Sequence, residues 1–375
     1  KYKKIFLIFL FFSSLLILNI IFSVDQHSSI KSFLGIIRYF ILMIAILYCF
    51  EIDKNFYLNF SKFLILIISF VALDTFYQYI FGQDIFGIKN TSSHGQRLNG
   101  PFGNEYVVGS YLSKLFFLSL IYFISQKKNF IYLFTYLILI ISITLLTKER
   151  MASLMLILTS LFFLFFFTNI QFKKRLVAVI SFTILVSLLI YQNQSVREHL
   201  IFKSFEQIGV NNSLNQQERV KNKNKRLFFD SHWGAHFLTA YNIFLDNPLI
   251  GSGIKTFRKE CSKDKYDDIK SLKVKIRCNT HPHNIYLEFL SEGGLILFIS
   301  FVIFNLYVFY KLISNILKKE KNRDISLAIF FSFLILFFPI QTTGSFFSTW
   351  NGFYYWLIYA FIINDVIRRK SSFSN

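Results

Sequence analysis

The sequence predicts an all-α polytopic membrane protein with about ten transmembrane helices and one large loop that carries short helices. Three observations lead there. Hydrophobic residues fill 54% of the 375 positions and Phe alone occurs 50 times, with a mean hydropathy of +0.46, more apolar material than a soluble domain of this size carries. Apolar runs of roughly 18–25 residues, the length that crosses a bilayer core, recur along the chain. Basic residues gather in short clusters flanking those runs, as topology determinants do. The formal net charge of +20 is therefore not a sign of nucleic acid, and no nucleic-acid partner is expected.

Taken in order, the spans fall at about 5–23, 32–50, 60–81, 105–125, 129–147, 151–169, 174–191, 285–312, 324–342 and 348–367. The first is too long for the apolar core of a signal peptide and lacks a small-residue cleavage site after it. The chain does not begin with Met, which leaves room for further spans ahead of it. Pro339 and Gly344 break the pattern, so a re-entrant segment near 339–350 is an alternative. Lys1, Lys3 and Lys4; Lys127 and Lys128; Lys173, Lys174 and Arg175; Lys318, Lys319, Lys321 and Arg323; and Arg368, Arg369 and Lys370 all fall on one side. The positive-inside rule makes that side cytoplasmic. The expected organisation is seven transmembrane helices in 1–191, an outer loop over 192–283, and three more helices in 284–375 with a cytoplasmic C-terminus.

The outer loop carries sixteen basic and nine acidic residues. Loops beyond about 60 residues are translocated regardless of charge, so topology does not account for that basicity. A Lys-rich solvated surface would; so would attraction for lipid headgroups, diphosphates or phosphorylated sugars. Within the loop, Trp233, Phe237, Ala240 and Phe244 have helical spacing, and Asn247-Pro248 followed by Gly251-Ser252-Gly253 ends the helix. Two or three such short helices are expected to lie on the membrane surface. Cys261 and Cys278 can pair there in an oxidising compartment. The rival is a metal held by Cys278, His281 and His283 with a fourth ligand; no metal and no cofactor is the expectation.

Chemistry concentrates where the loop returns to a span, in Thr280-His281-Pro282-His283-Asn284 and on through Glu288, Glu292 and Gly293-Gly294. His283 is the candidate base. An imidazole titrates near neutrality and suits the deprotonation of an attacking hydroxyl. His281 has the same chemistry, and residue type alone does not separate the two. Asn284 opens the span, Glu288 and Glu292 sit at i+4 spacing, and the glycines let another backbone approach closely. Arg150, between two spans, can grip phosphate oxygens with its guanidinium fork or simply cap the hairpin. Arg97 lies in the turn-rich Arg97-Leu98-Asn99-Gly100-Pro101-Phe102-Gly103-Asn104. Lys114, about two turns inside the next apolar run, either snorkels or faces a wet cavity. No Walker motif, dinucleotide loop or paired-aspartate metal motif accompanies them.

Together these residues resemble the O-antigen ligase and polymerase family of bacterial envelope glycosyltransferases. Four segments carry the resemblance: Asp74 to Asp84 followed by Arg97 to Asn104; Arg150-Met151-Ala152-Ser153; Phe244-Leu245-Asp246-Asn247-Pro248-Leu249-Ile250-Gly251-Ser252-Gly253, similar to the family's Pro-Leu-x-Gly-x-Gly loop; and His283-Asn284 with nine residues to Gly294, similar to the ligase signature. The chain departs from the pattern at Leu297, where the family usually has Gly, Thr or Tyr. It also departs before Trp233, where Asp230-Ser231-His232 replace the expected Arg and the nearest is Arg226.

The resemblance implies a multi-pass enzyme of the bacterial inner membrane with its active site facing the periplasm. Such an enzyme is a metal-independent, inverting glycosyltransferase that takes a glycan from undecaprenyl diphosphate to a sugar hydroxyl of lipid A-core. His283 would be the base and Arg150 and Arg97 would hold the diphosphate, with Asn284, Glu288, Gly294 and His281 in support. Membrane lipids, the lipid-linked donor and a lipid A-core or glycan acceptor are the partners it implies. A polymerase joining lipid-linked repeat units is the alternative. A transporter of lipid-linked glycan is the second, although internal repeats of the kind transporters show are not evident.

Overall fold

The computed structural model describes residues 3–53, 55–89, 97–208, 232–267, 277–318 and 322–371. Among the sequence positions singled out above, Lys1, Lys319, Lys321, Arg226, Asp230 and Ser231 lie outside them. The described chain is helical, with a lone β-bridge between Gln83 and Lys89. Its main helices are α1 (Lys3–Ile21), α2 (Gln26–Ile52), α3 (Phe56–Phe81), α4 (Val108–Ser125), α5 (Phe130–Leu146), α6 (Arg150–Phe166), α7 (Phe172–Gln192), α8 (His232–Asp246), α9 (Ile285–Leu317), α10 (Arg323–Phe337) and α11 (Thr349–Ser371). Six of these, α1 to α4, α7 and α9, are long and apolar enough to cross a membrane, and α5 and α6 are apolar but shorter. The protein is a multi-pass membrane protein.

Local chemistry sets several helix ends. Asn129 caps α5 by accepting a hydrogen bond from Ile131 N–H at 3.2 Å. Gly82 ends α3 with φ +76°, its N–H returning to Gln78 O at 2.9 Å. The expected span 324–342 stops at Phe337 because Pro339 follows and cannot donate to a continuing helix. The expected start at 105 moves to Val108, where the Glu149 carboxylate accepts from Gly109 N–H at 2.7 Å and Ser110 N–H at 3.0 Å. An anion on the first amides of a helix satisfies donors that have no partner within it.

The chain divides into two compact units. One comprises Lys1–Ile46, Phe205–Phe309 and Phe337–Ala360. Its centre is aromatic: Phe289 stacks on Phe301 at 3.9 Å, and Phe346 and Phe347 pack on Phe289 at 5.1 and 5.0 Å. The other comprises Leu47–Ser204, Tyr310–Leu336 and Phe361–Asn375. Phe117, Phe163 and Phe331 meet in its core. Its buried acids are anchored: Asp324 accepts from Thr168 and Asn169 backbone N–H, and Asp365 from Asn315 Nδ2 and Ser326 Oγ.

The first unit contains α8, which runs His232–Asp246, close to the expected helix, and the short turns 257–260 and 264–266. Ala240, Ile243, Phe257, Cys261 and Tyr266 form a small core there, with Cys278 and Leu287 packed against it. Cys261 and Cys278 are disulfide-bonded with Cα atoms 5.3 Å apart, which removes Cys278 from any metal set. A cross-link closing a loop of this length contributes roughly 3 kcal/mol. We expect Cys261→Ser with Cys278→Ser to lower the thermal midpoint of the detergent-solubilised protein, read by intrinsic fluorescence. An unchanged midpoint would mean that the bond contributes nothing to stability.

Candidate functional site

The first unit builds its site around the start of α9. Asn284 is the cap: its Oδ1 accepts from Tyr286 and Leu287 N–H at 3.0 and 3.1 Å, while its Nδ2 donates to Pro339 O at 2.7 Å and Gln341 O at 3.2 Å. One side chain thus starts the helix and ties it to the segment that follows α10. Thr343 supplies three more ties. Its N–H donates to His283 O at 2.7 Å, its Oγ1 accepts from Ile285 N–H at 3.0 Å, and its carbonyl faces His281 Nε2 at 3.3 Å. Between these anchors His283 adopts φ +58°, a left-handed conformation that costs a non-glycine residue about 1–3 kcal/mol and persists only where its surroundings fix it.

The hydrogen bonds distinguish the two histidines that residue type leaves equal. A carbonyl only accepts, so His281 Nε2 carries its proton toward Thr343 O. Its Nδ1, 2.9 Å from Thr280 Oγ1, then accepts from that hydroxyl. Both nitrogens of His281 are engaged. His283 Nε2, by contrast, is buried and has no hydrogen-bond partner. Its ring lies 4.1 Å from His281, 5.4 Å from His236 and 4.8 Å from Trp233. His236 is fixed by Nδ1–H donation to Arg277 O at 3.0 Å. Burial holds the His283 imidazole far below its usual range, down to about 3, and the neighbouring His281 and His236 rings lower it further. His281 is pushed down to about 4 by burial and by the Lys255 ammonium. Both rings are neutral at physiological pH.

Glu288 and Glu292 do not reach the imidazoles. Glu288 accepts from Ser345 Oγ and from Phe346 N–H at 2.7 Å, fastening the loop that also carries Thr343. Glu292 accepts from the N–H groups of Lys255 at 2.7 Å and Phe257 at 2.9 Å. Lys255 Nζ closes the network on Ser345 Oγ at 3.1 Å. Two buried carboxylates therefore clamp two loops to one face of α9.

Gly294 breaks α9 with φ +65° and ψ −174°, and the 248–253 segment docks into the break. Ser252 N–H donates to Ser291 O at 3.0 Å, Gly253 N–H to Glu292 O at 2.9 Å, and Leu295 N–H to Pro248 O at 2.8 Å. The approach is so close that a Cβ on Gly294 would lie 2.4 Å from Leu249 O, and one on Gly251 2.4 Å from Glu292 O. Two motifs about forty residues apart in sequence are thus one backbone joint. Asn19 of α1 seals it, donating to Ile250 O at 2.6 Å and Glu292 O at 2.8 Å and accepting from Ile254 N–H at 2.8 Å.

The second unit gathers the basic residues. Arg150 opens α6 and donates to Lys203 O at 3.3 Å; Lys148 Nζ donates to Ser195 Oγ at 2.7 Å; Lys203 Nζ lies 3.5 Å from His199 Nδ1. Arg97 donates to Tyr106 O at 3.1 Å and lies over the Tyr106 ring. His199 is pushed down to about 4 by burial first and then by the charges of Lys203, Arg150, Arg97 and Lys148. Glu149 is raised by burial, against the pull of Arg97 and of its bonds to the α4 amides. Its carboxylate also feels Lys114, which the sequence left between snorkelling and a wet cavity. Gln78, in the segment that leads to Arg97, accepts from the N–H groups of Asn99 and Gly100 at 3.1 and 2.9 Å and sets that turn. Arg97 and Arg150 thus share one electropositive cluster in this unit, and His283, His281, Asn284, Glu288 and Gly294 share the array of the other.

Sequence reasoning missed Asn19, His236, Lys255 and Thr343 in the first unit and Lys148, His199 and Lys203 in the second. A polar residue inside an apolar run, as Asn19 is, is the one that carries a usable signal. No curated protein matches the chain. Residues 135–302, which include Arg150, the 248–253 joint, His283 and Gly294, match the family model of the O-antigen ligases. That match and these motifs support membership of the O-antigen ligase/polymerase family, whose members are glycosyltransferase-like enzymes.

Proposed function

We propose that the protein is an O-antigen ligase-like glycosyltransferase that moves a glycan from undecaprenyl diphosphate to a sugar hydroxyl of lipid A-core. The reaction takes place at the periplasmic face of the bacterial inner membrane, with residues 192–283 as the periplasmic loop. The observation that carries the reading is His283 Nε2, neutral, buried and without a partner, on a backbone whose carbonyl is tied to Thr343 N–H. The acceptor hydroxyl gives its proton to that nitrogen as its oxygen attacks the anomeric carbon. The bond from that carbon to the diphosphate oxygen breaks, and undecaprenyl diphosphate leaves with the electron pair.

A diphosphate leaving group requires positive charge where its own charge accumulates more than it requires an acid. Arg97 and Arg150 are assigned that role, since a guanidinium fork pairs with phosphate oxygens bidentately. Direct displacement inverts the anomeric centre. Purified protein in nanodiscs, given lipid-linked donor and lipid A-core acceptor, should form product of inverted configuration. Retention, or a covalent glycosyl-enzyme, would overturn the mechanism. If joining of two lipid-linked repeats is the sole transfer observed, the activity is that of a polymerase.

A further inference from the structure

Trp233 lies beside the His283 ring, whose Nε2 has no partner, and has no part in the proton transfer above. It stands in the first turn of α8, on a helix whose next turns bury Ala235, His236, Thr239 and Ala240, yet it is itself only half-buried. Its indole centroid is 4.8 Å from the His283 ring and 6.3 Å from His236, with the indole and His283 planes at 76°. The indole and the imidazole that bears the unsatisfied nitrogen thus stand almost at right angles, with their ring centroids 4.8 Å apart.

That pairing matches the two-sided chemistry of a pyranose. One side of a sugar ring presents C–H groups, which pack on an aromatic face, and its rim presents hydroxyls, which require hydrogen-bond partners. A purely apolar ligand would leave His283 Nε2 unpaired in a buried site, at a cost in affinity. A linear polyol would satisfy the nitrogen but offer the indole no flat face. Resting on the glycosyltransferase reading, we propose that Trp233 is the platform of a sugar subsite: it packs against the ring whose hydroxyl bonds to His283 Nε2.

The test separates this subsite from the transfer reaction. Intrinsic fluorescence of the wild-type protein in detergent is titrated with deacylated lipopolysaccharide core oligosaccharide, and with mannitol as the hydroxyl-bearing control. The chain holds three tryptophans, so Trp233→Phe identifies the signal from this one. The expected result is a saturable emission change with the oligosaccharide, absent with mannitol and absent in Trp233→Phe. In the transfer assay Trp233→Ala should raise the KM for acceptor about tenfold, the scale of one lost aromatic contact, with a smaller change in kcat. Trp233→Phe should recover most of that loss. Absence of any oligosaccharide-dependent change in the wild type, an equal response to mannitol, or a Trp233→Ala protein of normal thermal midpoint and unchanged KM would each overturn the proposal. A saturable signal in a wild type that transfers nothing would uphold the subsite and remove the transferase reading instead.

Discussion

Replacing His283 by Ala should lower kcat for glycan transfer by about 10²–10⁴-fold, the usual contribution of a positioned general base. The KM for the lipid-linked donor should change little, because the residues assigned to the diphosphate lie elsewhere in the chain. His281→Gln should cost less, since both nitrogens of His281 already serve Thr280 and Thr343. The pH profile supplies a second reading. A base acts in its neutral form, and a depressed pKa keeps His283 neutral at pH values where a free imidazole is protonated. The acid limb of kcat/KM should therefore lie below pH 6.5, the ordinary imidazole value. Unimpaired transfer by His283→Ala would remove the base assignment, and an acid limb at or above 6.5 would mean that the ring is not shielded as described.

The second large effect is expected at Gly294. Its φ and ψ lie in a region that glycine alone adopts readily, and a Cβ there would meet Leu249 O, Leu249 C and Gly251 N at 2.4 to 2.6 Å. These are backbone atoms held by the joint, so they cannot swing aside as a side chain would. Gly294→Ala should destabilise the protein by about 3 kcal/mol or more, combining backbone strain with overpacking. Transfer should fall with it, because the same joint carries Lys255 and Glu292. Gly35, with nothing within 4 Å of its Cβ position, is the matched control and should tolerate Ala. A Gly294→Ala protein with a wild-type thermal midpoint would show that the break in α9 relaxes at no cost.

The membrane character and the positions of the helices were legible because both follow from run length and local charge. Pro339 marked a break in the pattern, although the expected span ran through it to 342 and α10 stops at Phe337; the glycines at 293–294 announced a close backbone approach. The partner in that approach was not legible: nothing in the residues 248–253 names Ser291 and Glu292 as the groups they bond to. Glu288 illustrates the same limit. Its spacing from Asn284 suggested support for the imidazole, but the carboxylate turns to Ser345 and Phe346, on a segment that arrives from after α10. Periodicity tells which residues share a helix face; it does not tell what that face meets. The choice of His283 over His281 rested on the spacing to Asn284 and Gly294. What sets the two rings apart in the structure, that Thr280 and Thr343 engage His281, depends on a loop sixty residues away.

Asn19 adds a consequence for how the protein is made. Its amide bonds to residues 231 and 273 positions further along the chain. At roughly 5–20 residues per second of synthesis, α1 exists for on the order of tens of seconds before Glu292 has been translated. Through that interval the Asn19 side chain sits in an apolar helix without the carbonyls it will finally hold, and an unsatisfied amide in hydrocarbon is costly. The early helix therefore needs a temporary partner, from water at the membrane surface or from the insertion machinery, until the last third of the chain arrives. Assembly of the imidazole array is then a late event, completed by the first helix and the last loops together.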